Sequence, residues 1–222
     1  MESTKRKNKI LKNPLSERLV PVLQDLNARR WMLFVDGENF TMRGQELAKQ
    51  CNVNLKQGPY WERDVLLWLP GIPARQSIIP NAPVGIQPVA SRAYYYTSCM
   101  GDEQRLTSIR EALWGLGFHP EVFKKRRQET KSKGVDIALA KDFLCNAFLN
   151  NYDAAVLMAG DADYIPMVNE VKRLGKLVYV IFFHGKGLGL SRELQVASDV
   201  FFKIDDSFID EWQNLLVSTG GE

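Results

Sequence analysis

The chain has 222 residues, of which 45% are hydrophobic, 25% charged and 10% aromatic, a balance that excludes wholesale disorder and suits one large domain with a substantial core. Its net charge of +3 is too mild to predict nucleic-acid binding from composition, so any such case rests on where the basic residues sit. Three scattered cysteines, Cys51, Cys99 and Cys145, form no CxxC pair and support neither a thiolate zinc site nor a disulfide framework. The basic start lacks the apolar stretch of a signal peptide, and no run approaches about 18 apolar residues, so the expectation is a soluble cytoplasmic protein with reduced thiols and no membrane partner.

Residues 1–30 read as a solvated basic tail, with Lys5, Arg6, Lys7, Lys9 and Lys12, and then a short amphipathic helix from Pro14 interrupted at Pro21. From Trp31 the pattern changes. Trp31-Met32-Leu33-Phe34-Val35 is a continuous apolar run ending at Asp36-Gly37-Glu38-Asn39, which predicts a buried strand emptying into a loop. The same grammar then repeats: a strand over Arg92 to Thr97, a helix over Asp102 to Leu116, a strand over Phe118 to Phe123, and a helix over Val135 to Leu149. Ala154 to Ala159 predicts a strand with a helix near Tyr164 to Leu174, and Leu177 to Phe183 a strand with a short helix after Ser191. Val200 to Ile204 and Ser207 to Val217 read as a last strand and helix. Such alternation implies an α/β fold, a mainly parallel central sheet with helices on both faces, over residues 31–217 with a short tail at 218–222. Ligands of such sheets bind at the carboxyl ends of the strands.

The rhythm breaks at Cys51 to Pro88, a Pro-rich insertion holding Pro59, Pro70, Pro73, Pro80, Pro83 and Pro88. A connection this long is more often functional or disordered than neutral. Its Tyr60, Trp61, Leu66, Leu67 and Trp68 predict that the first half packs. The expectation is a wall or lid at the substrate site, its aromatics open to stacking with bases or to a protein partner or second copy; the plainer reading is that they cover one side of the sheet.

Acidic residues fall where strands end or helices begin: Asp36 after the first strand, Asp136 after Lys133-Gly134-Val135, and Asp161 with Asp163 in Gly160-Asp161-Ala162-Asp163-Tyr164. Each alone is also what a helix N-cap or turn favours. Together, alternation brings them to one sheet edge, where clustered carboxylates repel one another and raise each other's pKa unless a cation neutralises them. Hard oxygen ligands of this kind suit Mg²⁺ or Mn²⁺, which activates bound water and stabilises charge in phosphoryl chemistry.

Phe34-Val35-Asp36-Gly37-Glu38-Asn39, Lys133 to Leu139, and Ala159 to Pro166 followed by Gly175-Lys176 resemble, in order, the motifs of the NYN domain, a LabA-like member of the PIN-like nuclease superfamily. The resemblance spans roughly Trp31 to Asp206 and leaves out the amino-terminal stretch and the insertion. It implies a PIN-like fold and a metal-dependent ribonuclease in which Asp36, Asp136 and Asp161 hold metal, with Asp163 as a fourth acidic position. By the same resemblance Asn39 orients the site or the substrate. This chain has Glu38 where relatives often carry a neutral residue and Tyr164 in place of the commoner phenylalanine, and neither change removes a ligand.

Lys124, Lys125, Arg126, Arg127, Lys131 and Lys133 lead directly into the Asp136 helix, and the expectation is contact with an RNA phosphate backbone without base specificity. His184-Gly185-Lys186-Gly187-Leu188-Gly189-Leu190-Ser191 lacks both nucleotide-loop spacings and reads as a flexible turn with Ser191 capping the next helix. Two other readings compete: an RNA-binding or scaffold module with little turnover, and a haloacid-dehalogenase-like phosphatase, which would need an aspartate where Glu38 stands.

Overall fold

The structure is a computed structural model, and it describes residues 29–55, 60–68, 74, 86–125 and 133–219. The basic tail and the helix expected from Pro14 lie outside the described residues, as do Arg126, Arg127, Lys131 and most of the later half of the insertion.

Strand β1 (Trp31–Asp36) runs into helix α1 (Gly37–Gln50), and a small hairpin follows, β2 (Trp61–Glu62) with β3 (Leu66–Leu67). Then come β4 (Arg92–Cys99), α2 (Glu103–Gly115), β5 (His119–Lys124) and α3 (Lys133–Phe148). The second half comprises β6 (Ala154–Met158), a 3-10 turn (Ala162–Tyr164), α4 (Ile165–Arg173), β7 (Leu177–Phe182), α5 (Arg192–Ala197), β8 (Val200–Lys203) and α6 (Asp205–Thr219). The main sheet has the order β5-β4-β1-β6-β7-β8 with every pairing parallel.

All six residues of β1 are buried because both faces of the sheet are covered, which is why its sequence is apolar throughout rather than alternating. Trp31, Leu33 and Val35 join one core with Phe40, Trp68, Phe118, Phe183 and Phe208; Met32 and Phe34 join the other with Leu139, Phe143, Val168 and Leu194. The chain winds outward from β1 through β4 to β5, then returns across β1 to β6 and winds the other way through β7 to β8. The order therefore reverses between β1 and β6, and the carboxyl ends of such neighbours diverge into the crevice where α/β sheets bind ligands.

Two expectations are corrected. No loop follows β1: the helix starts at once, and Asp36 is its N-cap, its Oδ1 accepting from Asn39 N at 3.0 Å. The junction is this tight because Gly37 lies against Tyr95; a Cβ there would be 2.1 Å from that ring. The insertion does pack in its first half, but Trp68 offers no stacking surface. It is fully buried, edge-on to Phe118 at 4.6 Å between ring centroids, and so belongs to the core under the sheet. Leu67 is pinned through its own N and O to the Tyr95 hydroxyl, each at 3.1 Å, and Val65 O accepts from Thr97 Oγ1 at 2.6 Å. Buried backbone groups of the hairpin thus find partners on β4 that strand pairing alone would not supply. Tyr60 and Trp61 are half-buried beside it.

Candidate active site

Asp36 ends β1, Asp136 lies in the first turn of α3, and Asp161 follows β6 as the N-cap of the 3-10 turn, its Oδ1 accepting from Asp163 N at 3.2 Å. The capping reading holds for Asp36 and Asp161: acids at helix N-termini are favoured locally by free N–H groups and the helix dipole, and parallel winding brings those termini to one edge.

The centre of the edge is a hydroxyl. Tyr164 is buried, and its hydroxyl lies 2.9 Å from Asp36 Oδ2 and 3.1 Å from Asp136 Oδ1. It joins the two carboxylates, although a phenol has one proton and can donate fully to only one of them. Asp36 is 4% exposed and its pKa is raised to about 7. Burial is the main cause; hydrogen bonds from Asn39 and Tyr164 oppose it, and the charges of Asp136 and Glu38 add to it. The sequence-based expectation gave the leading role to mutual repulsion, whereas desolvation leads because Asp36 is almost completely buried. Burial and two acidic neighbours push the Tyr164 phenol far above its ordinary value, so it stays a neutral donor.

Asn39 acts on the site's geometry. Its Oδ1 accepts from Gly160 N at 3.2 Å, tying the first turn of α1 to the residue that precedes Asp161. Asp161 is half-buried and Asp163 is exposed. Among the described residues no group of three or more acidic, histidine or cysteine side chains comes close enough together to hold a metal ion. What the structure brings together is the pair Asp36 and Asp136. The donor set still fits Mg²⁺ or Mn²⁺, which bind through hard oxygens and often use only one or two carboxylates together with water and substrate phosphate. A buried carboxylate whose charged form is disfavoured is also what a cation offsets.

Two side chains at the candidate site were not assigned to it from the sequence. Glu38, one residue into α1, is buried, accepts a short hydrogen bond from the Ser98 hydroxyl, and lies 3.8 Å from Lys125 Nζ. Lys125 therefore turns in toward the acids instead of belonging to a solvated run, while Lys124 at the end of β5 is exposed. Arg126 and Arg127 lie outside the described residues, and Lys133 is placed by its backbone as the first residue of α3. The other missed group is the Tyr164 hydroxyl, for which the only sequence signal was tyrosine where relatives commonly have phenylalanine.

An all-parallel sheet with acids at its reversal point and at the start of a crossover helix defines a PIN-like α/β domain. The NYN domain family matches residues 30–205, and the chain belongs to that family. It is similar to an uncharacterised protein of Methanocaldococcus jannaschii, 32% identical over 98 residues that make up 44% of this chain. Those residues span 36% of that relative's length. A crystal structure of a protein of unknown function from Vibrio parahaemolyticus shares the fold, with a TM-score of 0.55 and 20% identity over 83% of this chain and 98% of that one. No helix among the described residues is long and apolar enough to cross a membrane.

Proposed function

We propose that this chain is a metal-dependent ribonuclease that hydrolyses RNA phosphodiester bonds at the edge bearing Asp36, Asp136 and Asp161. The observation that carries the reading is the meeting of Asp36 and Asp136 on the Tyr164 hydroxyl at 2.9 and 3.1 Å, at the carboxyl edge of the sheet in a family classed with PIN-like nucleases. Asp36 and Asp136 would hold Mg²⁺ or Mn²⁺, with Asp161 and Asp163 as further acidic positions toward solvent. When bound, the ion supplies a water of lowered pKa and stabilises charge developing on the phosphate. Asn39 fixes the Gly160-Asp161 backbone against α1, Tyr164 holds the carboxylate pair in register, and the low exposure of Asp36 keeps bulk water from competing. Lys124, Lys125, Arg126, Arg127 and Lys133 would take the RNA backbone on the β5 side, through charge rather than base recognition.

Purified wild type, Asp36→Asn, Asp136→Asn and Asp161→Asn are incubated with single-stranded and structured RNAs in Mg²⁺, Mn²⁺ or EDTA. The reading expects cleavage with metal, none in EDTA, and losses of orders of magnitude for Asp36→Asn and Asp136→Asn, because each removes a ligand charge. Equal cleavage in EDTA overturns it.

A second reading, an RNA-binding module with little turnover, is favoured by one observation: among the described residues the acids do not gather in threes, and Asp163 stands exposed. Saturable binding without products under every metal condition would select it. The phosphatase reading has no such support. It would need an aspartate where Glu38 stands, and the Glu38 carboxylate is occupied by Ser98 and Lys125.

A further inference from the structure

Glu38 and Lys125 meet at the candidate site without belonging to its metal set. Glu38 lies in the first turn of α1, two residues after Asp36, and its negative charge adds to the forces that disfavour the ionised Asp36. A neutral side chain at this position would spare a buried carboxylate that repulsion. The chain nevertheless carries an acid there, and the geometry shows what the acid holds.

The Glu38 carboxylate reaches from the end of β1 across the end of β4. Its Oε1 accepts a short hydrogen bond from the Ser98 hydroxyl, and Ser98 is itself buried on β4. The same oxygen lies 3.8 Å from Lys125 Nζ. Lys125 directly follows β5, and its N donates to Cys99 O at 2.9 Å, so its backbone carries the β4–β5 ladder one step further. β4 lies between β5 and β1, which puts β5 two strand spacings, about 10 Å, from β1. The Lys125 side chain therefore turns back over β4 toward β1, and only 22% of it stays exposed. Lys124, one residue earlier, is exposed. Two adjacent lysines thus differ in kind: one is a surface charge, and the other is held at the acid-bearing edge by a buried carboxylate.

We propose that Lys125 is the protein cation that meets the phosphate under cleavage, and that Glu38, oriented by Ser98, is the positioning residue that holds it there. The proposal deepens the ribonuclease reading and rests on it. A phosphate brought to Asp36 and Asp136 sets its anionic oxygens near two carboxylates, so positive charge from the protein is needed on its other side. In the hydrolysis, water oxygen bonds to phosphorus and one P–O ester bond breaks. The departing oxygen keeps the bonding pair and takes a proton from solvent, and the water gives one up. Lys125 keeps its protons throughout and acts by charge on the oxygens around phosphorus. An ammonium already fixed in place and partly shielded from water does this more strongly than a mobile surface lysine, because nothing has to rearrange as the charge builds.

The test compares full-length wild type, Lys124→Gln, Lys125→Gln, Glu38→Gln and the Glu38→Gln/Lys125→Gln double variant. Cleavage of a 5′-labelled mixed-sequence single-stranded RNA is followed under single-turnover conditions with Mg²⁺ or Mn²⁺ at pH 8.5, where an Asp36 carboxyl pushed up to about 7 is ionised. Binding of the same RNA in EDTA is read by fluorescence anisotropy across a salt series, and urea midpoints confirm that each variant is folded. Lys125→Gln should cut the rate at saturating protein by roughly a hundredfold, the scale of one lost transition-state donor. Its binding should lose only one phosphate contact, a slope change of roughly 0.7 in log K against log salt. Glu38→Gln should cut the saturating rate by about tenfold through misplacement of the ammonium while binding RNA at least as tightly as wild type. In the Lys125→Gln background Glu38→Gln should cost nothing further, because the group it positions is gone. A saturating rate that falls no more in Lys125→Gln than in Lys124→Gln overturns the role of Lys125, and that arm stands even if Glu38→Gln does not fold. An equal loss from Glu38→Gln with and without Lys125 overturns the positioning role. Wild type that cleaves under neither metal overturns the ribonuclease reading together with this step, whereas cleavage that Lys125→Gln leaves intact overturns this step alone.

Discussion

The Tyr164 hydroxyl stands 2.9 Å from Asp36 Oδ2 while also lying 3.1 Å from Asp136 Oδ1, so one phenol from the turn after β6 joins acids supplied by β1 and α3. Three segments remote in sequence thereby fix one another. A phenylalanine would fill the same space and leave the Asp36 carboxyl without its side-chain donor.

Tyr164→Phe should therefore destabilise the fold by about 1–3 kcal/mol, the range for leaving a buried polar group unpaired. It should also raise the Asp36 pKa further, since the Tyr164 hydrogen bond lowers it. Urea denaturation and carboxyl-carbon NMR measure the two effects. A fall in the Asp36 pKa would contradict the assignment of Tyr164 as its donor.

Stability should depend on pH through Asp36 with a sign opposite to that of an ordinary ion-paired aspartate. Its carboxyl is pushed up to about 7 in the folded state, against 3.8 for a free aspartate. Between those values the folded state holds a proton that the unfolded state has released, so stability falls as pH rises from about 4 to about 7 and levels off above. At about 1.4 kcal/mol per unit the loss has a ceiling of roughly 4 kcal/mol. Asp36→Asn should remove this fall. Mg²⁺ or Mn²⁺, if bound by the native state alone, should restore stability above pH 7 in proportion to its concentration over Kd. Urea midpoints from pH 4 to 8 check the trend, and midpoints that rise through this window would refute it.

The features legible in the sequence share a physical origin: they are local. Trp31 to Val35 is readable as a doubly covered strand because every residue is apolar, and Ser191 as a helix cap because its hydroxyl accepts from Leu194 N three residues on. The Asp36, Asp136 and Asp161 positions are readable because turn chemistry and motif order coincide. Tyr164 was not readable as a joining group because its partners lie 128 and 28 residues away. Trp68 misled because composition alone does not distinguish an aromatic in the core from one waiting at the surface. Asp36 was expected to run into a loop because Asp-Gly commonly signals a turn, whereas here the same pair caps a helix packed on Tyr95.

The burial of Trp68 makes a separate claim. Trp68→Ala should cost about 3–5 kcal/mol, the usual loss for a large aromatic removed from a core. RNA affinity per folded molecule should stay unchanged, because the ring contacts Phe118 and Phe40 inside the protein. Denaturation and RNA titration on the same sample separate the two. Weakened RNA binding with intact stability would return Trp68 to the substrate wall.

The last prediction concerns Glu38, which stands between the acids and the basic flank. Its carboxylate accepts from Ser98 and lies 3.8 Å from Lys125 Nζ, and its charge is one of the smaller causes of the raised Asp36 pKa. Glu38→Gln removes a negative charge beside Asp36 and weakens the attraction that draws Lys125 toward the acids. The Asp36 pKa should fall, only modestly because burial remains the main cause, and RNA should bind more tightly at low salt because a negative charge beside Lys125 is gone. Lys125→Gln should do the reverse: Glu38 loses its counter-charge, Asp36 is harder to ionise, and the salt dependence of RNA binding flattens. The two variants therefore move both observables in opposite directions. Loss of side-chain packing alone would shift neither pair in that mirrored way. If carboxyl-carbon NMR finds the Asp36 pKa moved in the same direction by both substitutions, Glu38 and Lys125 do not act on the site through charge, and their pairing is structural.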